Sequence, residues 1–250
     1  MKKLLTVLLS VLMICSLAAC SSKEEETVDT DTDADVDTQT ETVTAKDDYA
    51  SYSAAELDSE VEVLMSVQAA QGYWEDNGQG KLTIYGQDDD GAYFVYNANV
   101  DEETAAKVVA GALIKVTGTK SEWSGEVEIV DASVEVVEGE GTVYEAKDVT
   151  EYVADADTLI TYLNQKVAIN GLTVTKIETK DSESDPDIYI TCTLGETEVN
   201  LCVENYLTGT DTEVYQTAAA LEEGTVINVE GFLYWYEGAN PHITSITVAE

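Results

Sequence analysis

One stretch of this chain occurs twice, and it limits the possible folds more than any other feature. Gly111-Ala-Leu-Ile-Lys-Val-Thr-Gly118 runs on through Trp123 to Gly125, and then to Val127, Ile129 and Val134. Gly224-Thr-Val-Ile-Asn-Val-Glu-Gly231 runs on through Trp235 and Tyr236 to Gly238, and then to Ile243, Ile246 and Val248. All three glycines recur 113 residues later, and a repeat at fixed spacing sets the domain count before any local reading. An alanine- and acid-rich run precedes the first glycine of each copy, so each copy reads as helix, strand, tight turn, strand.

Upstream of the first copy, Glu60 to Ala70 alternates as a strand, with Val61, Val63, Met65 and Val67 on one face. Lys81 to Tyr85 and Ala92 to Val100 are further strands, and Gln87-Asp-Asp-Asp-Gly91 is a turn between them. Asp101 to Ala110 is a helix with acids in its first turn, where the helix dipole favours them. Ser53 to Leu57 reads as one helical turn capped by serine. The second unit repeats the order. A short helix lies within Thr150 to Leu163, followed by strands at Gln165–Thr179, Asp187–Leu194 and Glu198–Asn205. A helix at Thr212–Leu221 and strands at Thr225–Trp235 and His242–Ala249 complete it. Ile114 and Val116 match Ile227 and Val229, which predicts that the constant part of the repeat faces inward.

Three strands, a helix and two strands, present twice, fit a small antiparallel sandwich or a meander as well as a barrel. With glycines at the start of strand four and near its end, the order resembles the OB-fold, a five-stranded Greek-key barrel. The expected fold is therefore mainly β, with two tandem OB-like barrels at residues 49–139 and 140–250. The resemblance rests on element order and glycine placement and implies nothing specific about function. The sequence is silent on whether the two units pack together.

The N-terminus is a targeting segment. Lys2 and Lys3 precede an apolar run, Leu4 to Leu17, too short to be a good spanning helix. It ends in Leu17-Ala18-Ala19-Cys20, which resembles the lipobox of bacterial lipoproteins. The resemblance implies cleavage of residues 1–19, lipid attachment at Cys20 with acyl chains such as palmitate, and a place on the outer face of a bacterial membrane. Residues 20–48 follow as an acidic Thr/Asp linker, with 11 acids and 2 lysines from Lys23 to Asp48. Such a composition cannot bury enough apolar surface to order itself. As a flexible coil its span is roughly 30 Å, which lifts the folded part off the bilayer.

Charge narrows the partners. The chain carries 50 acidic residues against 12 lysines and no arginine, a net charge of -38. Nucleic acid and anionic lipid are disfavoured, because phosphate contacts supply most non-specific affinity and the bidentate guanidinium is missing. Export permits disulfides. Strand phase, however, puts Cys192 on the inner and Cys202 on the outer face of one hairpin, too far apart to bridge, so both are expected as thiols. With one histidine, a zinc site lacks ligands. Glu75-Asp-Asn-Gly78, Asp88-Asp-Asp-Gly91 and Asp181-Ser-Glu-Ser-Asp185 offer oxygen ligands but not EF-hand spacing, and Asp or Asn before Gly also makes turns. His242, after Pro241, reads as a partly exposed turn residue. No nucleophile motif accompanies it. The expectation is no enzyme, no cofactor and no metal.

The aromatic residues are the remaining lead. In OB-folds the loops between strands one and two and between strands four and five flank the binding face. Tyr73 and Trp74 fall on the first of these in unit one, Trp123 on the second, and Trp235 and Tyr236 on its counterpart in unit two. These five are the candidate ligand-binding residues of a surface binding module for a glycan or protein. Single-stranded nucleic-acid binding and a structural subunit of an envelope complex are the alternatives.

Overall fold

The computed structural model describes residues 44–179 and 186–249. The signal segment, Cys20, linker residues 20–43 and Asp181–Asp185 lie outside the described residues.

The first unit opens on helix α1 (Tyr49–Ala54), β1 (Glu60–Ala70), β2 (Trp74–Asp76), β3 (Gln79–Gln87) and β4 (Ala92–Asn99). Helix α2 (Glu102–Ala105), β5 (Ala112–Trp123) and β6 (Glu126–Glu140) complete it. β1 pairs antiparallel with both β3 and β5, β3 with β4, and β5 with β6, while β6 returns parallel to β4. The circuit β1-β3-β4-β6-β5-β1 is closed and is that of an OB barrel. The second unit holds β7 (Lys147–Asp148), α3 (Ala156–Leu159), β8 (Lys166–Thr179), β9 (Ile188–Leu194), β10 (Thr197–Val203), α4 (Asn205–Thr208), α5 (Glu213–Ala219), β11 (Val226–Phe232) and β12 (His242–Val248). Its circuit β8-β9-β10-β12-β11-β8 repeats the first, including the parallel return of β12 to β10.

Each barrel thus has five main strands, a helical segment between strands three and four, and one short extra strand, β2 or β7. The sequence-derived helix Asp101–Ala110 shortens to α2, where Asp101 Oδ1 accepts from the Thr104 N–H at 2.6 Å. In the second unit two helices occupy the same place. The helical turn expected at Ser53–Leu57 begins earlier, at Tyr49, because Asp48 is the better-placed cap, its Oδ1 accepting from the Ser51 N–H. The last linker residues dock on barrel one: the Asp47 N–H donates to the Glu62 carbonyl, and the Glu62 N–H donates to Asp47 Oδ2.

The repeated glycines play matching parts. Gly111 and Gly224 both take the left-handed backbone (φ 85° and 87°), which a side chain disfavours. Gly118 and Gly231 lie where strands four and five press together. A Cβ on Gly118 would stand 2.7 Å from Ile129 Cγ2 and 2.8 Å from the Val130 carbonyl, and one on Gly231 would strike the His242 carbonyl. Ile114, Val116, Ile227 and Val229 are buried as expected, in two separate aliphatic interiors.

The two barrels share a third core. Tyr85 (β3), Phe94 (β4) and Phe232 (β11) are buried there, with Tyr234 and Leu207 against them. Tyr85 stacks on Phe232 with centroids 4.3 Å apart and planes 9° apart, and Phe94 meets Tyr234 edge-on at 5.4 Å. Stacked and edge-on pairs of this kind add stabilisation beyond the area they bury.

Candidate functional site

The seam between the barrels holds several buried polar side chains. His242 is buried there, which corrects the expectation of a partly exposed turn residue. Pro241 carries it into the start of β12, under the Tyr234 ring, which stacks on it at 4.3 Å. Tyr85 Oη lies 2.8 Å from His242 Nδ1, and Glu204 Oε2 lies 3.3 Å from the same nitrogen. Gln71 Nε2 donates to Glu204 Oε2 at 2.9 Å, tying barrel one to barrel two. Burial, reinforced by the Glu204 carboxylate, holds the Tyr85 phenol well above its ordinary range, so it stays protonated.

A second buried acid lies further along the seam. Glu126, at the start of β6, accepts from the Trp235 N–H at 2.8 Å. Burial lifts its carboxyl to about 8; the Trp235 N–H and Asn164 pull the other way, and Glu128 adds to the rise. Asn164 Nδ2 donates across to the Val127 carbonyl at 3.2 Å.

The two loops between strands four and five meet at this point. Ser124 and Glu237 occupy the same place in the two copies of the repeat, and both are left-handed, at φ 53° and 55°. The Glu237 N–H donates to the Ser124 carbonyl at 2.9 Å. Gly125 leaves room for the neighbouring loop: a Cβ there would stand 2.6 Å from Trp235 Cδ1. Trp123 and Tyr236, again matched by the repeat, flank this contact and are 61% and 50% exposed.

The structure therefore brings together three of the five aromatic residues singled out from sequence: Trp123, Trp235 and Tyr236. Trp235 is half-buried against Gly125, while Trp123 and Tyr236 stay open to solvent. Tyr73 and Trp74 stand apart from them. β1 pairs Glu60 with Thr119, so Trp123 lies beyond the Glu60 end of that strand and Trp74 beyond its Ala70 end. Trp74 is 43% exposed on β2, and Tyr73 is half-buried beside Gly80, its hydroxyl 3.2 Å from Glu75 Oε1.

The two acidic loops within the described residues, Glu75–Gly78 and Asp88–Gly91, act as turns. Asn77 and Gly78 are both left-handed, as a two-residue hairpin requires. Asp88 Oδ1 accepts from the Asp90 and Gly91 N–H groups, and its Oδ2 accepts from Tyr93 Oη. Among the described residues no three of His, Cys, Asp and Glu converge as metal ligands. Among the described residues the two cysteines are thiols on opposite faces: Cys192 in the interior of barrel two, with burial raising it to about 11, and Cys202 beneath the seam beside Tyr189. No helix among the described residues is long and apolar enough to cross a membrane.

No family model matches the chain, and no curated protein matches it. Solved structures resemble it distantly. A murine DNA-binding protein bound to double-stranded DNA is 15% identical, with 76% of this chain and 96% of that one covered and a TM-score of 0.36. The tetrameric p202 HIN2 is 13% identical, with 78% and 96% covered and a TM-score of 0.34. A replication protein A heterotrimer bound to single-stranded DNA is 12% identical, with 76% and 49% covered and a TM-score of 0.34. Likeness at this level carries nothing about a ligand.

Proposed function

We propose that this chain is a lipid-anchored, non-enzymatic binding module on the outer face of a bacterial membrane, and that its ligand is a neutral glycan held where the two strand-four/five loops meet. Cys20, behind the lipobox-like Leu17-Ala18-Ala19, is the anchor in this reading, and the acidic linker is the spacer.

The observation that carries the reading is the exposure of Trp123 and Tyr236 on two loops that are hydrogen-bonded to each other. Large flat rings left in water, on a support fixed by the seam, suit stacking on a sugar face. The charge balance argues against phosphate-bearing ligands, since 12 lysines face 50 acids and no arginine is present.

The test is a titration of the mature protein with neutral cell-wall and host oligosaccharides, followed by tryptophan fluorescence. The expected result is a saturable change that the double substitution Trp123→Ala, Tyr236→Ala removes and Trp74→Ala leaves in place. Silence toward every neutral glycan, or affinity for single-stranded DNA that weakens as salt rises, would overturn the assignment.

A further inference from the structure

A cavity of about 300 Å³ lies on the barrel-two side of the seam, and its wall is polar and acidic. Tyr189 comes from β9 and Asp187 from just before it, Glu204 follows β10, Tyr234 and Tyr236 follow β11, and His242 opens β12. The volume is at the lower end of small-molecule pockets. No lysine lines the cavity, and no lysine pairs with either acid among the described residues.

Two polar atoms of this wall are open and unpaired. His242 is 8% exposed; its Nδ1 is engaged by Tyr85 Oη and Glu204 Oε2, and the Tyr234 ring covers one of its faces. Its Nε2 has no partner among the described residues, and it is not one of the four unpartnered side-chain atoms that are sealed from water. The residual exposure of the ring therefore includes the Nε2 edge, on the cavity that His242 lines. Glu204 Oε1 is in the same position. Oε2 takes Gln71 Nε2 and faces His242 Nδ1, while the side chain keeps 18% of its surface. Asp187 is fixed beside them, its Oδ1 accepting from the Asn205 N–H at 2.8 Å.

The neighbours of Nδ1 decide what Nε2 offers. A lone pair on Nδ1 would face the Glu204 carboxylate at 3.3 Å, so Nδ1 carries the hydrogen and, in the neutral ring, Nε2 carries the lone pair. The open groups are thus an imidazole lone pair and a carboxylate oxygen, both acceptors. An occupant must donate hydrogen bonds and carry positive charge. The tyrosine rings supply wall for an aliphatic stem, and aromatic rings attract cations.

We infer that this cavity binds a primary alkylammonium group, whose N–H groups donate to His242 Nε2 and to the Glu204 and Asp187 carboxylates. A primary ammonium brings three donors and one charge, which a wall of acceptors matches. Free amines and lysine side chains share this chemistry. The inference does not rest on the glycan reading, although Tyr236 borders both sites.

His242 is the only histidine of the chain, so nitrogen NMR of its imidazole reads this site alone. The probes are n-butylamine, lysine blocked at both termini and tetramethylammonium, in mildly alkaline buffer where a free imidazole is neutral and an amine still charged. Nε2 should read as the unprotonated nitrogen in the free protein and should shift saturably with n-butylamine. Tetramethylammonium, which has no N–H, should leave it unmoved. Glu204→Gln, which keeps an acceptor for Gln71, should weaken amine binding about tenfold, and Asp187→Asn should weaken it less. A response to blocked lysine as well would name a peptide lysine as a source, and a response to n-butylamine alone a free amine. A protonated Nε2 in the free protein, silence toward both amines, or unchanged affinity in both acid variants would overturn the assignment. Trp123→Ala should leave amine binding intact and Glu204→Gln should leave glycan binding intact, so either site can fail without the other.

Discussion

The interiors of the two barrels and the seam between them are built from different chemistry. Each interior is mainly aliphatic: Val63, Ile84, Ile114, Val116 and Ile129 in one, Ile169, Leu172, Ile190, Leu201 and Ile227 in the other. The seam is aromatic and polar, with Tyr85, Phe94, Phe232, His242, Glu204, Glu126 and Asn164. Packing of aliphatic side chains tolerates exchange among similar volumes, so it specifies a barrel without specifying a neighbour. Stacked rings and buried hydrogen bonds hold only in one relative placement. The repeat therefore makes two similar barrels, and the residues that differ between copies join them.

Substitutions at the strand crossings test the interior half of this comparison and carry the largest expected effect. Gly231→Ala should destabilise barrel two by about 3 kcal/mol or more in urea unfolding, since the added carbon meets backbone that cannot yield. Gly72→Ala, which meets nothing within 4 Å, is the matched control and should stay within about 0.5 kcal/mol. Similar losses at both sites would mean that close approach is not what the repeated glycine serves.

The seam has a pH signature near neutrality. Burial raises Glu126 from an ordinary value of 4.5 to about 8. The folded state therefore keeps a proton that the unfolded chain releases near pH 4.5, and this stabilisation is complete below that pH and lost as pH rises through about 8. Glu126→Gln keeps an acceptor for the Trp235 N–H and removes the titration. It should exceed the wild type in stability by on the order of 2 kcal/mol at pH 9 and match it below pH 5. Parallel pH profiles for the two proteins would show that Glu126 is ionised in the fold.

The smallest stability effect is expected at the exposed rings. Trp123→Ala and Tyr236→Ala should each cost about 1–2 kcal/mol at most, because half or more of each residue stays in water. A large loss at either would assign that ring to the seam and not to a ligand.

Most main strands were legible in the sequence to within two residues, but the strand expected at Thr225–Trp235 stops at Phe232 and the helix expected at Asp101–Ala110 stops at Ala105. β1 spans the Glu60–Ala70 that alternation defines, and the other main strands start close to their turn signals. Strand phase also placed Cys192 inside. Local hydrogen bonding escapes the pattern: both Asp48 and Ser53 are capping types and only the Asp48 bond to the Ser51 N–H decides between them, and β2 and β7 are too short to show a period. The seam was missed for a different reason. Alternation detects one buried face, and Tyr85, Phe94 and Phe232 belong to the other. The available signal was the uninterrupted apolar run Ala92-Tyr-Phe-Val-Tyr96, and likewise Phe232-Leu-Tyr-Trp-Tyr236, since a strand covered on both faces loses its alternation. The convergence of Trp123 with Tyr236 was half visible. Their common place in the repeat follows from the 113-residue offset, but their meeting depends on the seam.

The most direct test of the account is whether the two barrels unfold together because of the seam. Urea unfolding of the protein, followed by tryptophan fluorescence and far-ultraviolet circular dichroism, should give one coincident transition. Phe232→Ala removes the ring stacked on Tyr85 and should cost about 3–5 kcal/mol of coupling and packing while splitting the transition in two. Ile129→Ala, inside barrel one, should lower the midpoint without separating the probes. Two transitions in the wild type, or one coincident transition in Phe232→Ala, would contradict the claim that the seam makes the pair a single folding unit.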